Sequence, residues 1–284
     1  MERFENGWLI VNASSGSNSP AALDELRQCL CDHAIAVQRT IEFPDDELPT
    51  PGQLDEAKVP LAIVYTGDGT LNAAIGALEG WSGAVLVLPG GTMNLLSKRL
   101  HGDRQTAQIL SAVAQGGALR TCPKLIHCDG GDALAGLLAG PGTRWSNVRE
   151  AMRRFDVAGI MEGAVEALAE VSGDALVRAA APLLGRREGY PLIEMTPGEH
   201  GIQLDGFHAE TAGEYAAQTW ALLRRSFREG PHDRLGVVEA IDVETVDGSP
   251  LEILIDGEPA TLPKRATFTV APCGVDLLAT GNAD

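Results

Sequence analysis

The sequence predicts an α/β N-terminal domain built on a parallel sheet, followed by a sandwich-like, antiparallel β-rich domain. Up to about residue 121, short runs that are apolar throughout alternate with stretches of helical period, the pattern of a parallel sheet covered on both faces. From about residue 122 the texture changes to short alternating segments separated by turn signals. In the first half, Gly- or Ser-rich loops follow the strands, at the edge where parallel sheets bind ligands. The predicted domains are therefore 1–121 and 122–284.

The elements follow in order. Trp8–Val11 is an apolar run that reads as a strand, and the polar loop Asn12–Ser19 follows it. Pro20 suits the first position of a helix whose stripe is Leu23, Leu26, Leu30 and His33. Ile35, Val37 and Ile41 mark a second strand, and the acidic, Pro-rich stretch 43–58 reads as a surface connection with one helical turn. Leu61–Tyr65 is a buried strand, with a helix expected after Thr70. Ala84–Leu88 is another, ended by Pro89-Gly90-Gly91. A helix through Leu95, Leu96 and Leu100 comes next. Asp103 is the expected cap of a further helix with the stripe Ile109, Leu110 and Val113, stopped by Gly116-Gly117. Ala151–Leu184 is Ala-rich and helical in period. Strand-like segments then occupy Leu192–Met195, Gly201–His208, Gly236–Val246, Leu251–Asp256 and Ala266–Val270, with Asp205-Gly206 and Asp247-Gly248 as hairpin turns. One helix interrupts them: Thr211 and Glu214 form a capping box, and Gly230-Pro231 ends it.

Composition narrows the function classes. The 284 residues, 44% of them hydrophobic, suffice for two ordinary cores. A net charge of −17 repels polyanions, so nucleic acid is excluded as a partner, and strong attachment to anionic lipid is disfavoured. No apolar run reaches transmembrane length and the N-terminus lacks signal-peptide order, so a cytoplasmic protein is expected. The five cysteines are odd in number and lack zinc spacing; buried reduced thiols are the expectation.

The stretch Thr66-Gly67-Asp68-Gly69-Thr70 joins a buried strand to a helix. Glycines there let a backbone turn sharply or approach a ligand, and a helix starting there points its unpaired N–H groups at the turn, as an anion requires. An ordinary strand-to-helix turn capped by Asp68 explains the same residues.

Three loops together are more specific than any one. VNASSGS (Val11–Ser17), TGDGTLN (Thr66–Asn72) and LPGGTMNLLSKRLHG (Leu88–Gly102) resemble, in order and spacing, the three nucleotide loops of the diacylglycerol kinase catalytic family. The wider group of that family includes sphingosine kinases and, more remotely, NAD kinases. IDGEP (Ile255–Pro259) resembles the family's late Asp-Gly-Glu segment. The sequence departs from the pattern at Thr66, where the signature has glycine, at Ala73, where glutamate is frequent, and at Ala13, where proline is usual. Gly130–Trp145 departs from the Phe-containing strand and Gly-rich segment that lipid kinases usually carry in this region.

The resemblance implies ATP and Mg²⁺ as cofactors and a lipid hydroxyl, foremost diacylglycerol, as acceptor. It places Asn12, Thr66, Gly67, Gly69, Thr70, Gly90, Gly91, Thr92 and Asn94 around the nucleotide. Asp68, an acid among phosphate-binding glycines, requires a cation between itself and the phosphates, so a Mg²⁺-organising role is expected of it. Glu258 matches the glutamate that serves as base in bacterial diacylglycerol kinases. In sphingosine kinases the base is the aspartate that matches Asp68. The lipid is expected to be taken from the inner membrane face by transient peripheral contact; Trp220–Gly230, with a Trp, a Phe and three arginines, has an interfacial pattern. A homodimer is left open. A kinase for a soluble acceptor and a non-catalytic nucleotide or lipid sensor are the alternative readings.

Overall fold

The computed structural model describes residues 4–12, 19–91, 94–140, 176–207 and 232–281. The chain divides into two compact units, one of Met1–Pro123 with Pro272–Asp284 and one of Lys124–Ala271.

The first unit opens with β1 (Asn6–Val11), α1 (Pro20–Asp32), β2 (Ala36–Glu42), α2 (Pro51–Glu56) and β3 (Leu61–Thr66). It continues with α3 (Asp68–Ala77), β4 (Ala84–Pro89), α4 (Leu95–His101), α5 (Thr106–Ala114) and β5 (Leu119–Thr121). The second unit holds β6 (Lys124–Cys128), β7 (Gly131–Ala133), β8 (Leu137–Ala139), β9 (Val177–Ala181), β10 (Leu183–Leu184), β11 (Leu192–Gly198) and β12 (Gly201–Phe207). Then come β13 (His232–Val238), β14 (Ala240–Thr245), β15 (Leu251–Ile255), β16 (Glu258–Leu262) and β17 (Arg265–Pro272). The last strand, β18 (Asp276–Ala279), returns to the first unit.

The first sheet has the order β2-β1-β3-β4-β18-β5. β1 to β4 run parallel, β18 is parallel to β4, and β5 is antiparallel to β18. One face packs Leu9, Val11, Ile63 and Leu86 against Leu26 and Leu30 of α1 and Ile109 and Val113 of α5. The alternate strand residues Ile10, Ala62, Val64 and Val87 are buried too, with α3 on β3 and α4 on β4. Each fully buried Leu or Ile contributes about 1.5–3 kcal/mol, so coverage of both faces is what holds strands with no polar alternation.

The second unit is a sandwich of two antiparallel sheets, β10-β9-β14-β17-β6-β7 and β13-β12-β11-β8-β15-β16. Their inner faces share one core, with Tyr190, Phe268, Ile193, Ile253 and Val243 at its centre. The predicted fold class, α/β on a mostly parallel sheet and then antiparallel β, is the one observed.

Several local expectations differ. The chain does not divide simply at residue 121, because β18 sits between β4 and β5 in the first sheet. α3 starts at Asp68, not after Thr70, and the cap of α5 is Gln105, whose capping box with Gln108 displaces Asp103 from that role. Val177–Leu184, at the end of the Ala-rich stretch, is strand: β9 pairs with β14 inside the sandwich, and packing overrides the helical period. The rest of that stretch lies outside the described residues, as does the expected helix with the Thr211 box and the Trp220–Gly230 pattern. Asp205-Gly206 is no turn but the interior of β12. A β-carbon at Gly206 would stand 2.7 Å from the Tyr190 ring, so this glycine marks close packing. Asp205 is buried beside Gln203, whose amide donates to it at 2.6 Å, and Arg234, 3.5 Å away. Gly236–Val246 is two strands in different sheets, β13 and β14. All five thiols are free as expected, but Cys31 and Cys122 are exposed; Cys128 and Cys273 are buried.

Candidate active site

The C-terminal ends of β1, β3 and β4 bring the predicted loops to one edge of the parallel sheet. β3 pairs with both β1 and β4, so the three loop starts, Asn12, Gly67 and Gly90, are neighbours by register. Asn12, Gly67, Asp68, Gly69, Thr70 and Asn94 are half-buried there, and Thr66, Gly90 and Gly91 are buried or nearly so. Thr92 lies outside the described residues.

Side chains join the loops in sequence. Asn12 Nδ2 donates to Thr70 Oγ1 at 2.8 Å, tying the first loop to the second. Asp68 Oδ1 accepts the Leu95 N–H at 2.9 Å, tying the second loop to the first residue of α4. The third loop closes on itself: Asn94 Oδ1 accepts the Gly91 N–H at 2.7 Å, and Asn94 Nδ2 donates to the Gly91 carbonyl at 2.8 Å. Asn94 itself adopts the left-handed conformation, which asparagine tolerates. Thr66 takes the place of a signature glycine without strain, its hydroxyl turned inward to donate to the Gly67 carbonyl at 3.1 Å. Gly90 and Gly91 are required by contact. A β-carbon at Gly90 would stand 2.6 Å from Thr66 N, and one at Gly91 would stand 2.6 Å from Gly67 Cα. The backbones of the second and third loops therefore touch at glycine.

Thr70, which the resemblance places around the nucleotide, is the third residue of α3, and its hydroxyl is the acceptor for Asn12. α3 has Gly67 at its cap position, a residue with no side chain of its own to cap the helix, and Asp68 and Gly69 form its first turn. The N–H groups of a helix's first turn suit an anionic ligand. Among the described residues no group of three metal-ligating side chains converges. One carboxylate, Asp68, fits Mg²⁺ only as an ion brought in by nucleotide phosphates, the manner in which that ion is usually held.

Behind the third loop, His101 at the end of α4 is buried. Its Nε2–H donates to the Val87 carbonyl at 3.0 Å, and its Nδ1 accepts from the Thr280 hydroxyl at 2.9 Å and, more weakly, from the Thr280 N–H at 3.3 Å. It thus pins α4 to β4 and to the chain's C-terminal segment. Burial pushes its pKa down to about 4, with the nearby Arg104 charge acting in the same direction. Sequence reading missed this residue; a lone histidine in a helix carries no signal until its neighbours are known.

Glu258, the predicted base, lies in the second unit. It is exposed and is the first residue of β16, facing Ile255 across a two-residue turn. The turn residues Asp256 and Gly257 have φ of 49° and 89°, the two positive values a type I′ hairpin needs. The Asp256 side chain, however, is buried rather than solvated. Its carboxylate accepts N–H bonds from Leu134 at 2.7 Å and from Ala135 and Gly136 at 2.9 Å each. Those donors belong to Gly130–Trp145, the segment whose sequence departs from the family; within it the described residues form β7, a short loop and β8.

Comparison with known proteins bears on the fold and on the segment that holds the three loops. Residues 6–122 match the family model of the diacylglycerol kinase catalytic domain. A crystal structure of a "putative diacylglycerol kinase" from Bacillus anthracis str. Sterne aligns over 100% of this chain and 98% of its own, with a TM-score of 0.67 at 16% identity. A structure described as a diacylglycerol kinase from the same organism covers 100% of both chains, with a TM-score of 0.61 at 14% identity. No curated protein matches the chain in sequence. Over residues 6–122 the chain thus carries the diacylglycerol kinase catalytic domain pattern, and over its full length it has the fold of those solved structures.

Proposed function

We propose that this protein is an ATP-dependent lipid kinase that transfers the γ-phosphoryl group of ATP to the hydroxyl of diacylglycerol. The observation that carries the reading is the joining of three glycine-containing loops at the C-terminal edge of the parallel sheet, within the segment that matches the kinase domain. Gly67 and Gly69 are assigned to backbone contact with the nucleotide phosphates, and Gly90 and Gly91 let the third loop close on the second beside them. Asn12, Thr66, Thr70 and Asn94 hold these loops, and Thr92 is assigned to the nucleotide by its place in the motif alone. Asp68 ties the second loop to α4 and is the residue that would help hold the Mg²⁺ accompanying ATP. When bound, that ion would supply the positive charge that the phosphates need. Glu258 is assigned as the general base. It takes the acceptor's hydroxyl proton as that oxygen bonds to the γ-phosphorus, and the bond from the γ-phosphorus to the bridging oxygen of ADP breaks. Among the described residues no helix is long and apolar enough to cross a membrane, which fits an enzyme that visits a cytoplasmic membrane face to reach its lipid.

The test is transfer from labelled ATP with Mg²⁺ to a panel of acceptors: diacylglycerol, sphingosine, and soluble polyols. Label in phosphatidic acid is the expected outcome. Label only in a polyol moves the reading to a soluble acceptor, and ATP binding without transfer moves it to a sensor. With transfer established, Glu258→Gln lowers kcat by about two to four decades and leaves ATP affinity unchanged, the range expected for loss of a general base.

A further inference from the structure

We propose that Asp256 is a positioning residue whose clamp on the 134–136 backbone fixes the turn that carries Glu258. The inference deepens the kinase reading and rests on its assignment of Glu258 as base.

Three consecutive N–H groups, from Leu134, Ala135 and Gly136, converge on one carboxylate at 2.7–2.9 Å. Successive amides turned to one point make a concave anion site, and here the anion is the chain's own side chain. The stitching is reciprocal, because the Asp256 N–H donates to the Gly136 carbonyl at 3.0 Å. The clamp also lies in register with the sheet. β8 pairs with β15, Leu137 opposite Ile255, so the clamp closes the ladder one residue beyond its last pair. A type I′ turn needs only a residue that tolerates positive φ at its first position, and asparagine or glycine serves as well. Neither can match the charge that three donors receive from a buried carboxylate. An exposed glutamate on an unanchored hairpin tip would sample many positions, and displacement of a reacting group by about 1 Å can cost about a hundredfold in rate. The clamp removes that freedom two residues before Glu258. In the Asp-Gly-Glu segment, the aspartate thus anchors, the glycine turns and the glutamate reacts.

The experiment is a double-mutant cycle on the full chain, with labelled ATP, Mg²⁺ and diacylglycerol in mixed micelles. The proteins are wild type, Asp256→Asn, Glu258→Gln and the double variant. Asp256→Asn is expected to lower kcat at least about tenfold with the KM for ATP within about twofold, and to have no further effect once Glu258 is Gln, as coupled neighbours require. Equal kcat in Asp256→Asn and wild type overturns the inference; so does the same fold-loss in both backgrounds, which marks a general structural effect. If Asp256→Asn loses its near-UV signature of folding, Ala135→Pro decides in its place. It deletes one of the three donors and keeps the carboxylate, and it should lower kcat only when Glu258 is present. The failure of the function reading looks different. If Glu258→Gln turns over as wild type, the base assignment falls and this inference with it. If Glu258→Gln is impaired and the clamp variants are not, the inference alone falls.

Discussion

In the proposed function Asp68 has two roles, the tether to Leu95 and the Mg²⁺ contact, and a single substitution separates them. An asparagine in its place would keep an Oδ1 able to accept the Leu95 N–H but would lose the negative charge. Asp68→Asn should therefore leave thermal stability within about 0.5 kcal/mol of wild type while abolishing the gain in ATP affinity that Mg²⁺ gives. Asp68→Ala should lose the tether as well, at about 1 kcal/mol. Calorimetric ATP titrations in EDTA and in millimolar Mg²⁺, with melting curves, separate the two. A Mg²⁺ gain retained in Asp68→Asn would remove the metal role. His101 gives a second residue-scale expectation. Its pKa falls from an ordinary 6.5 to about 4 in the fold, so the unfolded chain binds the proton more readily between those values. The neutral form's contribution is complete above about pH 6.5 and is lost as pH falls toward 4, by about 3 kcal/mol at most. Urea unfolding across that window should show the slope in wild type and a reduced slope in His101→Gln.

At the scale of elements, the second and third loops are held by close contact between glycine backbones. Gly91→Ala places a methyl group 2.6 Å from Gly67 Cα, and neither backbone can yield without moving a loop. Gly91→Ala should destabilise the first unit by about 1–3 kcal/mol, the usual cost of overpacking, and should weaken ATP binding because the loop edges part. Gly76→Ala is the internal control: its β-carbon meets nothing within 4 Å, in the body of α3. It should be neutral or slightly stabilising, since alanine is the better helix former. If both variants bind ATP as wild type does, the loop contact is irrelevant to the ligand.

At the scale of the molecule, the last strand decides where the first unit ends. β18 contributes the buried Leu277 and Leu278 and supplies β4 with its neighbour; beyond it, Thr280 reaches His101. Two buried leucines are worth about 3–6 kcal/mol, comparable with the whole stability of an ordinary domain. A fragment of residues 1–121 should therefore fail to show a cooperative unfolding transition or bind ATP. A chain joining residues 1–123 to 272–284 by a short Gly-Ser linker should regain both, since Cys273 N already bonds the Pro123 carbonyl at 2.9 Å. Circular dichroism and calorimetry on the two fragments check this, and a well-folded 1–121 fragment would show β18 to be dispensable.

The sequence by itself determined the α/β-then-β order, the parallel strands β1 to β4 of the first sheet and the three loops, because these are written in local pattern. Runs such as Leu61–Tyr65 and Ala84–Leu88 are apolar on both faces, and glycines stand where the chain leaves them. What only the tertiary structure decided depends on partners distant along the chain. β18 is too short to be recognised until β4 and β5 pair with it. Val177–Leu184 has an Ala-rich pattern that fits a helix, and only its place in the sandwich makes it strand. Gly206 mimics a turn signal because Tyr190 lies against it. Asp256 reads in sequence only as part of the Asp-Gly-Glu segment; its carboxylate meets the amides of residues more than a hundred positions earlier, and no local pattern records that contact. Local pattern fixes which face of an element is apolar, whereas the partner that covers the face, or satisfies a buried charge, is fixed by packing alone.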